Sequence, residues 1–227
     1  MSIKLIIFDL DGTLIDSSID ITNAINYAVK PYGIKPITIQ EAISLVGEGI
    51  TRLIEKLVKS HESEVKNDIS KDVLIERFLD YYSAHLVDHT TVYLGVKETL
   101  EQLNGYKKVV VSNKREALSV KILDRLGLLK YLDLVVGSDT TPEKKPSPIP
   151  IQYALNKLGL KPESAIIVGD SNFDIEAGKA AGVKTIAVTY GYKPKEMLKG
   201  ADFMIDNMNK LPEALGMDIF TSLERPV

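Results

Sequence analysis

Six short apolar runs, rich in β-branched residues and nearly free of alternation, constrain this chain most: residues 4–8, 108–111, 134–136, 165–168, 184–188 and, more weakly, 203–205. A strand that is apolar on both faces must be covered on both, which is the condition of a parallel sheet between layers of helix. The segments between the later runs carry helical period. Ile151, Ala154, Leu155 and Leu158 precede the run at 165, and residues 175–181 follow it. Strand and helix alternating in this way predict right-handed crossovers and an α/β fold, a doubly wound parallel sheet that holds ligands at the carboxyl ends of its strands.

Residues 9–107 separate the first run from the second and contain no convincing strand. Ile21, Ala24, Ile25, Ala28 and Val29 keep helical spacing instead, as do Ile50, Leu53, Ile54, Leu57 and Val58, and again Ile75, Phe78, Leu79, Tyr82 and Leu86. Ser17 with Asp20, and Thr38 with Glu41, have the spacing of capping boxes. These signs predict a helical cap at residues 16–90, inserted after the first strand, so that residues 1–15 and 91–227 form one discontinuous core.

Composition removes several classes of function. The 227 residues include 28 basic and 31 acidic side chains and no cysteine. Near-balanced charge with no long block of one sign leaves no footprint for nucleic acid or an anionic membrane. Without cysteine there is no disulfide scaffold, thiolate metal site or thiol nucleophile. The opening apolar run is broken at Asp9, short of the ~7–15 apolar residues of a signal peptide. A cytoplasmic protein is expected, monomeric or homodimeric.

The polar residues that end the runs carry the functional reading. The first run ends Phe8-Asp9-Leu10-Asp11-Gly12-Thr13-Leu14 and the second Val111-Ser112-Asn113-Lys114; the loop after the third holds Lys144-Lys145-Pro146, and the fourth ends Gly169-Asp170-Ser171-Asn172-Phe173-Asp174. In a doubly wound sheet these ends share one crevice. Carboxylates crowded there call for a cation, and hard oxygen ligands select Mg²⁺. The Gly12-Thr13 turn, the Ser112 hydroxyl and the Lys145 ammonium suit phosphate oxygens. Asp9 and Asp11, two residues apart, leave the strand on the same side. One carboxylate can then attack while the other handles a proton, the equipment of phosphoryl transfer through an aspartyl-phosphate.

Taken singly, each fragment has a plainer meaning. Asp-x-Asp-Gly suits a turn or a calcium loop, but an EF-hand needs glutamate at the twelfth position from Asp9, where Asp20 stands. Ser112 and Asn113 suit a helix cap, Lys145 a solvated loop, and Asp170 with Asp174 a helix N-terminus. Recurrence at four successive strand ends favours a single site. His85 and His89 have the i, i+4 spacing of metal ligands, yet no zincin glutamate or third ligand accompanies them, and an exposed helix face is expected. Gly47-Glu48-Gly49 reads as a flexible loop between helices, with Arg52 either reaching a substrate anion or solvated.

Together the four motifs, completed by Ser147-Pro148 after Lys145-Pro146, resemble those of the haloacid dehalogenase-like (HAD) hydrolase superfamily in their usual order. The helical insert resembles that superfamily's α-helical cap of the first type. Val46-Gly47-Glu48-Gly49, Lys144-Lys145-Pro146, Thr189-Tyr190-Gly191-Tyr192 and Leu211-Pro212-Glu213-Ala214-Leu215-Gly216 are most similar to the phosphoglycolate phosphatase group. The resemblance implies Asp9 as nucleophile and Mg²⁺ ligand, and Asp11 as acid/base with its main-chain carbonyl on the metal. It implies Asp170 as a further ligand and Asp174 as support of the metal site. Gly12, Thr13, Ser112, Asn113 and Lys145 would hold the phosphoryl group, with Lys145 also pairing with Asp9. Gly47, Gly49 and Arg52 are the cap candidates for recognising a substrate carboxylate. The implied substrate is a small phosphorylated metabolite, 2-phosphoglycolate first. A phosphosugar phosphatase or a β-phosphoglucomutase-like mutase shares every core residue. A metal-free dehalogenase branch lacks an aspartate at the position of Asp11. A phosphoacceptor receiver module has a similar Asp, Ser/Thr and Lys set, but no cap and only about half the length. Residues 217–227 have no counterpart in the family pattern.

Overall fold

The computed structural model describes residues 2–61 and 70–216, so the unmatched tail at 217–227 lies outside the described residues. The chain opens with β1 (Leu5–Phe8), β2 (Ile15–Asp16), α1 (Ser18–Val29), α2 (Ile39–Leu45), α3 (Gly49–Ser60), α4 (Lys71–Ala84) and β3 (Thr91–Val92). It continues with α5 (Val96–Gln102), β4 (Lys107–Val111), α6 (Glu116–Arg125), β5 (Leu134–Val136), α7 (Ile149–Leu158) and β6 (Ala165–Gly169). It closes with α8 (Asn172–Ala181), β7 (Lys184–Val188), β8 (Phe203–Ile205) and α9 (Leu211–Gly216).

The six apolar runs form one sheet in the order β5-β4-β1-β6-β7-β8, with every neighbouring pair parallel. Alternate side chains feed two cores. Ile6, Phe8, Val110, Ile166, Val168 and Ile186 pack on the face that shares its core with the helical insert. Leu5, Ile7, Val109, Val111 and Ile167 pack against α7 and α8 on the other. Such double coverage explains the lack of alternation in the sequence.

β2 and β3 pair antiparallel at the two ends of the helical segment, Ile15 opposite Val92 and Asp16 opposite Thr91. The α1 stripe is buried as expected, and α3 buries Leu53, Ile54 and Leu57. On α4 the buried line is Leu74, Phe78 and Tyr82, with Ile75 and Leu79 only partly covered, so the helix is turned by one residue from the expected stripe.

Of the two expected capping boxes only Thr38–Glu41 forms, beginning α2. Ser17 and Asp20 have the spacing but stronger partners elsewhere. Ser17 Oγ donates to Asp11 Oδ1 at 2.5 Å, and the buried Asp20 carboxylate accepts from the backbone N–H of His89 and Thr90 and from Thr90 Oγ1 at 2.7 Å. Asp20 thus binds the chain where it returns to the core. His85 pairs with Asp88 at the surface, away from any metal cluster among the described residues. No helix among them is long and apolar enough to cross a membrane.

Candidate active site

Register brings the chemistry together. Phe8 pairs with Val110 on one side and Val168 on the other, so Asp9, Ser112 and Asp170 emerge from three adjacent strands at nearly one level. Asp9 continues the ladder by donating its N–H to Val168 O at 2.9 Å. Gly12 then turns the chain with φ +87°. A Cβ there would lie 2.3 Å from Asp170 Oδ2, so only glycine lets the two segments close on one another. Its N–H and that of Thr13 are taken by Ile15 O and Leu10 O, so this turn brings a close approach rather than free backbone donors.

Asp9, Asp170 and Asp174 place carboxylate oxygens within 4.8 Å of one another. Lys145 reaches into the cluster from the loop before α7, at 2.7 Å from Asp9 Oδ1 and 2.6 Å from Asp174 Oδ1, with its side chain only 2% exposed. Asp174 also closes a capping box at the start of α8, accepting from Ser171 N and Oγ. Burial raises the Asp9 carboxyl to about 7 against the opposing pull of Lys145, and burial with the charges of Asp9 and Asp174 raises Asp170 well above the usual aspartate range. Burial also works against the Lys145 charge, but Asp174 and Asp9 outweigh it and hold the ammonium above its ordinary value. Three acids against one cation leave a net negative charge once all three are ionised, which adds to burial in making Asp9 and Asp170 hold their protons longer than usual. The donor set is all oxygen, so these residues fit a hard divalent ion.

Two hydroxyls of the strand-end motifs are candidate donors for an anion. Thr13 Oγ1 is buried and has no partner, and the Ser112 hydroxyl accepts from Lys114 N while its own proton has no acceptor among the described residues. The Asn113 side chain is committed differently. Its Nδ2 donates to Lys145 O and Gly47 O, both at 2.8 Å, so it positions the lysine loop and the insert.

A model of the haloacid dehalogenase-like hydrolase family matches residues 6–188, which carry all four strand-end motifs. The chain belongs to this family. Phosphoglycolate phosphatase of Aquifex aeolicus is 44% identical over 191 residues, 83% of this chain and 86% of that protein. The phosphoglycolate phosphatase of Chromobacterium violaceum is 39% identical over 215 residues, covering 92% and 95% of the two chains. Among solved structures, a predicted phosphoglycolate phosphatase from Haemophilus somnus superposes with a TM-score of 0.88 at 31% identity, covering 94% of this chain and 98% of that one.

Around the HAD motifs, the loop before α3 closes one side of the cleft. Gly47 (φ +124°) and Gly49 (φ +77°) line it, and a Cβ on Gly49 would come within 2.9 Å of Asn113 O. Core side chains hold the loop by its carbonyls: Lys193 Nζ on Val46 O at 2.7 Å, Asn113 on Gly47 O, and Lys144 Nζ on Glu48 O at 2.7 Å. Arg52 is not brought to the cleft. Its side chain is 61% exposed and paired with Glu55 at 2.7 Å on the outer face of α3, because the inward face of that helix is given to Leu53, Ile54 and Leu57.

Three residues that sequence reasoning did not single out belong to the site. Lys114 Nζ lies 2.6 Å from Asp11 Oδ1 and 2.7 Å from the Tyr82 hydroxyl, and Tyr192 donates its N–H to Asp170 Oδ2 at 2.6 Å while its hydroxyl accepts from Ser17 N. Asp11 therefore turns its side chain toward Lys114 and Ser17 and away from the carboxylate cluster. Burial works against the Lys114 charge, but Asp11 and Tyr82 outweigh it and raise its pKa, while burial pushes the Tyr82 phenol up to about 12. A lysine directly after Ser112-Asn113 was the available signal for Lys114. Nothing in the spacing of α4 marks Tyr82 as other than core.

Proposed function

We propose that this HAD hydrolase is a Mg²⁺-dependent phosphatase that converts 2-phosphoglycolate to glycolate and phosphate through an aspartyl-phosphate on Asp9. The observation that carries the reading is the different placement of two aspartates. Asp9 lies in the acidic cluster under Lys145, and Asp11 is turned out of it toward the cleft. The names of the relatives supply the substrate.

Asp9, Asp170 and the main-chain carbonyl of Asp11 would hold the ion, with Asp174 supporting the site. When bound, the ion neutralises the carboxylates and the phosphoryl oxygens so that two anions can approach. Lys145 fixes the Asp9 carboxylate by a 2.7 Å bond and adds positive charge beside it. Thr13 and Ser112 donate hydroxyl protons to the phosphoryl group, and Asp9 attacks phosphorus in line with the ester oxygen. Asp11 gives its proton to the departing alkoxide and then removes one from the water that cleaves the acyl phosphate, so one group serves both halves. The apolar lining from Ile50, Leu53 and Phe78, with the loop clamped over it, limits bulk water.

Phosphate release measured over a panel of small phosphomonoesters, with Mg²⁺ and with EDTA, tests this. The expected result is Mg²⁺-dependent turnover, highest on 2-phosphoglycolate and abolished by Asp9→Asn. Full activity of that variant, or turnover that survives EDTA, would refute the mechanism.

A further inference from the structure

Lys114 and Tyr82 form a buried polar pair that the chemistry of phosphoryl transfer leaves without a task. The Lys114 side chain is 8% exposed and uses two of its three ammonium protons, on Asp11 Oδ1 and the Tyr82 oxygen. Tyr82, 1% exposed, accepts that bond, so its own hydroxyl proton has no acceptor among the described residues. Two donors are thus without a protein partner among the described residues. Both residues line the same cleft as Asp9 and Ser112.

Position sharpens what they would bind. In the mechanism proposed above Asp11 addresses the ester oxygen, and Lys114 lies 2.6 Å from Asp11 and 2.7 Å from the Tyr82 hydroxyl, so these two groups would be next to what the leaving group carries one carbon beyond that oxygen. The insert residues beside Tyr82 in the lining, Ile50, Leu53, Phe78 and Leu79, are apolar and offer such a group no bond. Lys145 is committed to Asp9 and Asp174, and Lys193 to backbone carbonyls. Arg115 also lines the cleft, but it is an exposed residue at the rim.

We propose that Lys114 and Tyr82 are the receptor for a carboxylate on the leaving group, which makes short phosphomonoesters with a carboxylate one methylene from the ester oxygen the preferred substrate class. The inference rests on the phosphatase reading above and places its specificity across the boundary between core and insert. Lys114 belongs to the core, and Tyr82 arrives only with the helical insert in place.

The test is the ratio of kcat/KM for 2-phosphoglycolate to that for ethyl phosphate, which has the same two carbons and no carboxylate, in wild type, Lys114→Met, Tyr82→Phe and Arg115→Ala with saturating Mg²⁺. The ratio is independent of the folded fraction of each preparation. Loss of one hydrogen bond to a charged group lowers it about tenfold in Tyr82→Phe, and loss of the ammonium about a hundredfold in Lys114→Met. Arg115→Ala keeps the wild-type ratio. Tyr82→Phe leaves the Lys114–Asp11 contact intact and decides the matter if Lys114→Met turns over too slowly to measure. A wild-type ratio retained in Tyr82→Phe and Lys114→Met, or lost only in Arg115→Ala, overturns the proposal and leaves the phosphatase reading standing. A wild type without preference for 2-phosphoglycolate removes the substrate assignment, and the receptor with it.

Discussion

In the proposed site protons and Mg²⁺ would compete for the same buried carboxylates, so the ion is expected to stabilise the protein increasingly as pH rises toward about 7. The Asp9 carboxyl is raised by burial from 3.8 to about 7. Between those values the metal-free folded chain keeps a proton that the unfolded chain has released. Stability therefore falls as pH rises across this window, and the fall is complete above it. The gap of about 3 pH units, at 1.36 kcal/mol each, sets an order-of-magnitude ceiling of about 4 kcal/mol. It is a ceiling because the Asp9 side chain keeps 13% exposure. Asp170, raised for the same reason, adds in the same direction. A bound ion replaces the proton, so its apparent affinity should tighten about tenfold per pH unit below about 7 for Asp9 alone, then level off. Thermal melts and calorimetric titrations with Mg²⁺ at several pH values across the window measure both quantities. Asp9→Asn isolates the contribution, since it removes the titrating group while Lys145 keeps Asp174. A Mg²⁺ affinity independent of pH through the window, or an unchanged pH slope in Asp9→Asn, would refute the reasoning.

Lys145→Met leaves Asp9 and Asp174 buried against each other without their shared cation. Denaturant unfolding near neutral pH should show a loss of about 3–5 kcal/mol, and phosphate release should fall at least about a hundredfold. Asp20→Ala removes the buried carboxylate that anchors the return of the insert at His89 and Thr90. An expected loss of about 2–4 kcal/mol in urea unfolding, smaller in Asp20→Asn, separates this anchoring role from the capping role that the Ser17–Asp20 spacing suggested.

The central sheet was legible because its signal is local and redundant. Six runs apolar on both faces admit few arrangements, and all six are strands of one parallel sheet. Helix pattern was legible to about one residue. The face of α4 differs by one position because packing on α1 and α3, not the strongest apolar period within the segment, selects the line from Leu74 to Tyr82. Of the two capping boxes expected from spacing, the one without a tertiary competitor formed. Thr38 and Glu41 are exposed and find one another, whereas Ser17 and Asp20 have the same spacing but lie at the junction of insert and core, where Asp11, His89 and Thr90 compete for them.

The same distinction separates the parts of the site that spacing could reach from those it could not. Asp9, Lys145, Asp170 and Asp174 meet because each follows a strand or crossover whose position in a doubly wound sheet is fixed by topology, so their order along the chain already implies proximity. Residues of the insert carry no such guarantee. Arg52 was attractive for its charge beside a glycine loop, yet a helix face is decided by burial, and burying Leu53, Ile54 and Leu57 turns Arg52 outward to Glu55. Tyr82 was counted as core for its period and is indeed buried, but its hydroxyl is what meets Lys114. A helical stripe therefore reports which residues face inward without reporting what they face. In this chain the inward face of α4 brings the Tyr82 hydroxyl to Lys114, which itself pairs with Asp11 of another segment, so a polar contact of the cleft lies among residues that a hydrophobic pattern classifies as packing.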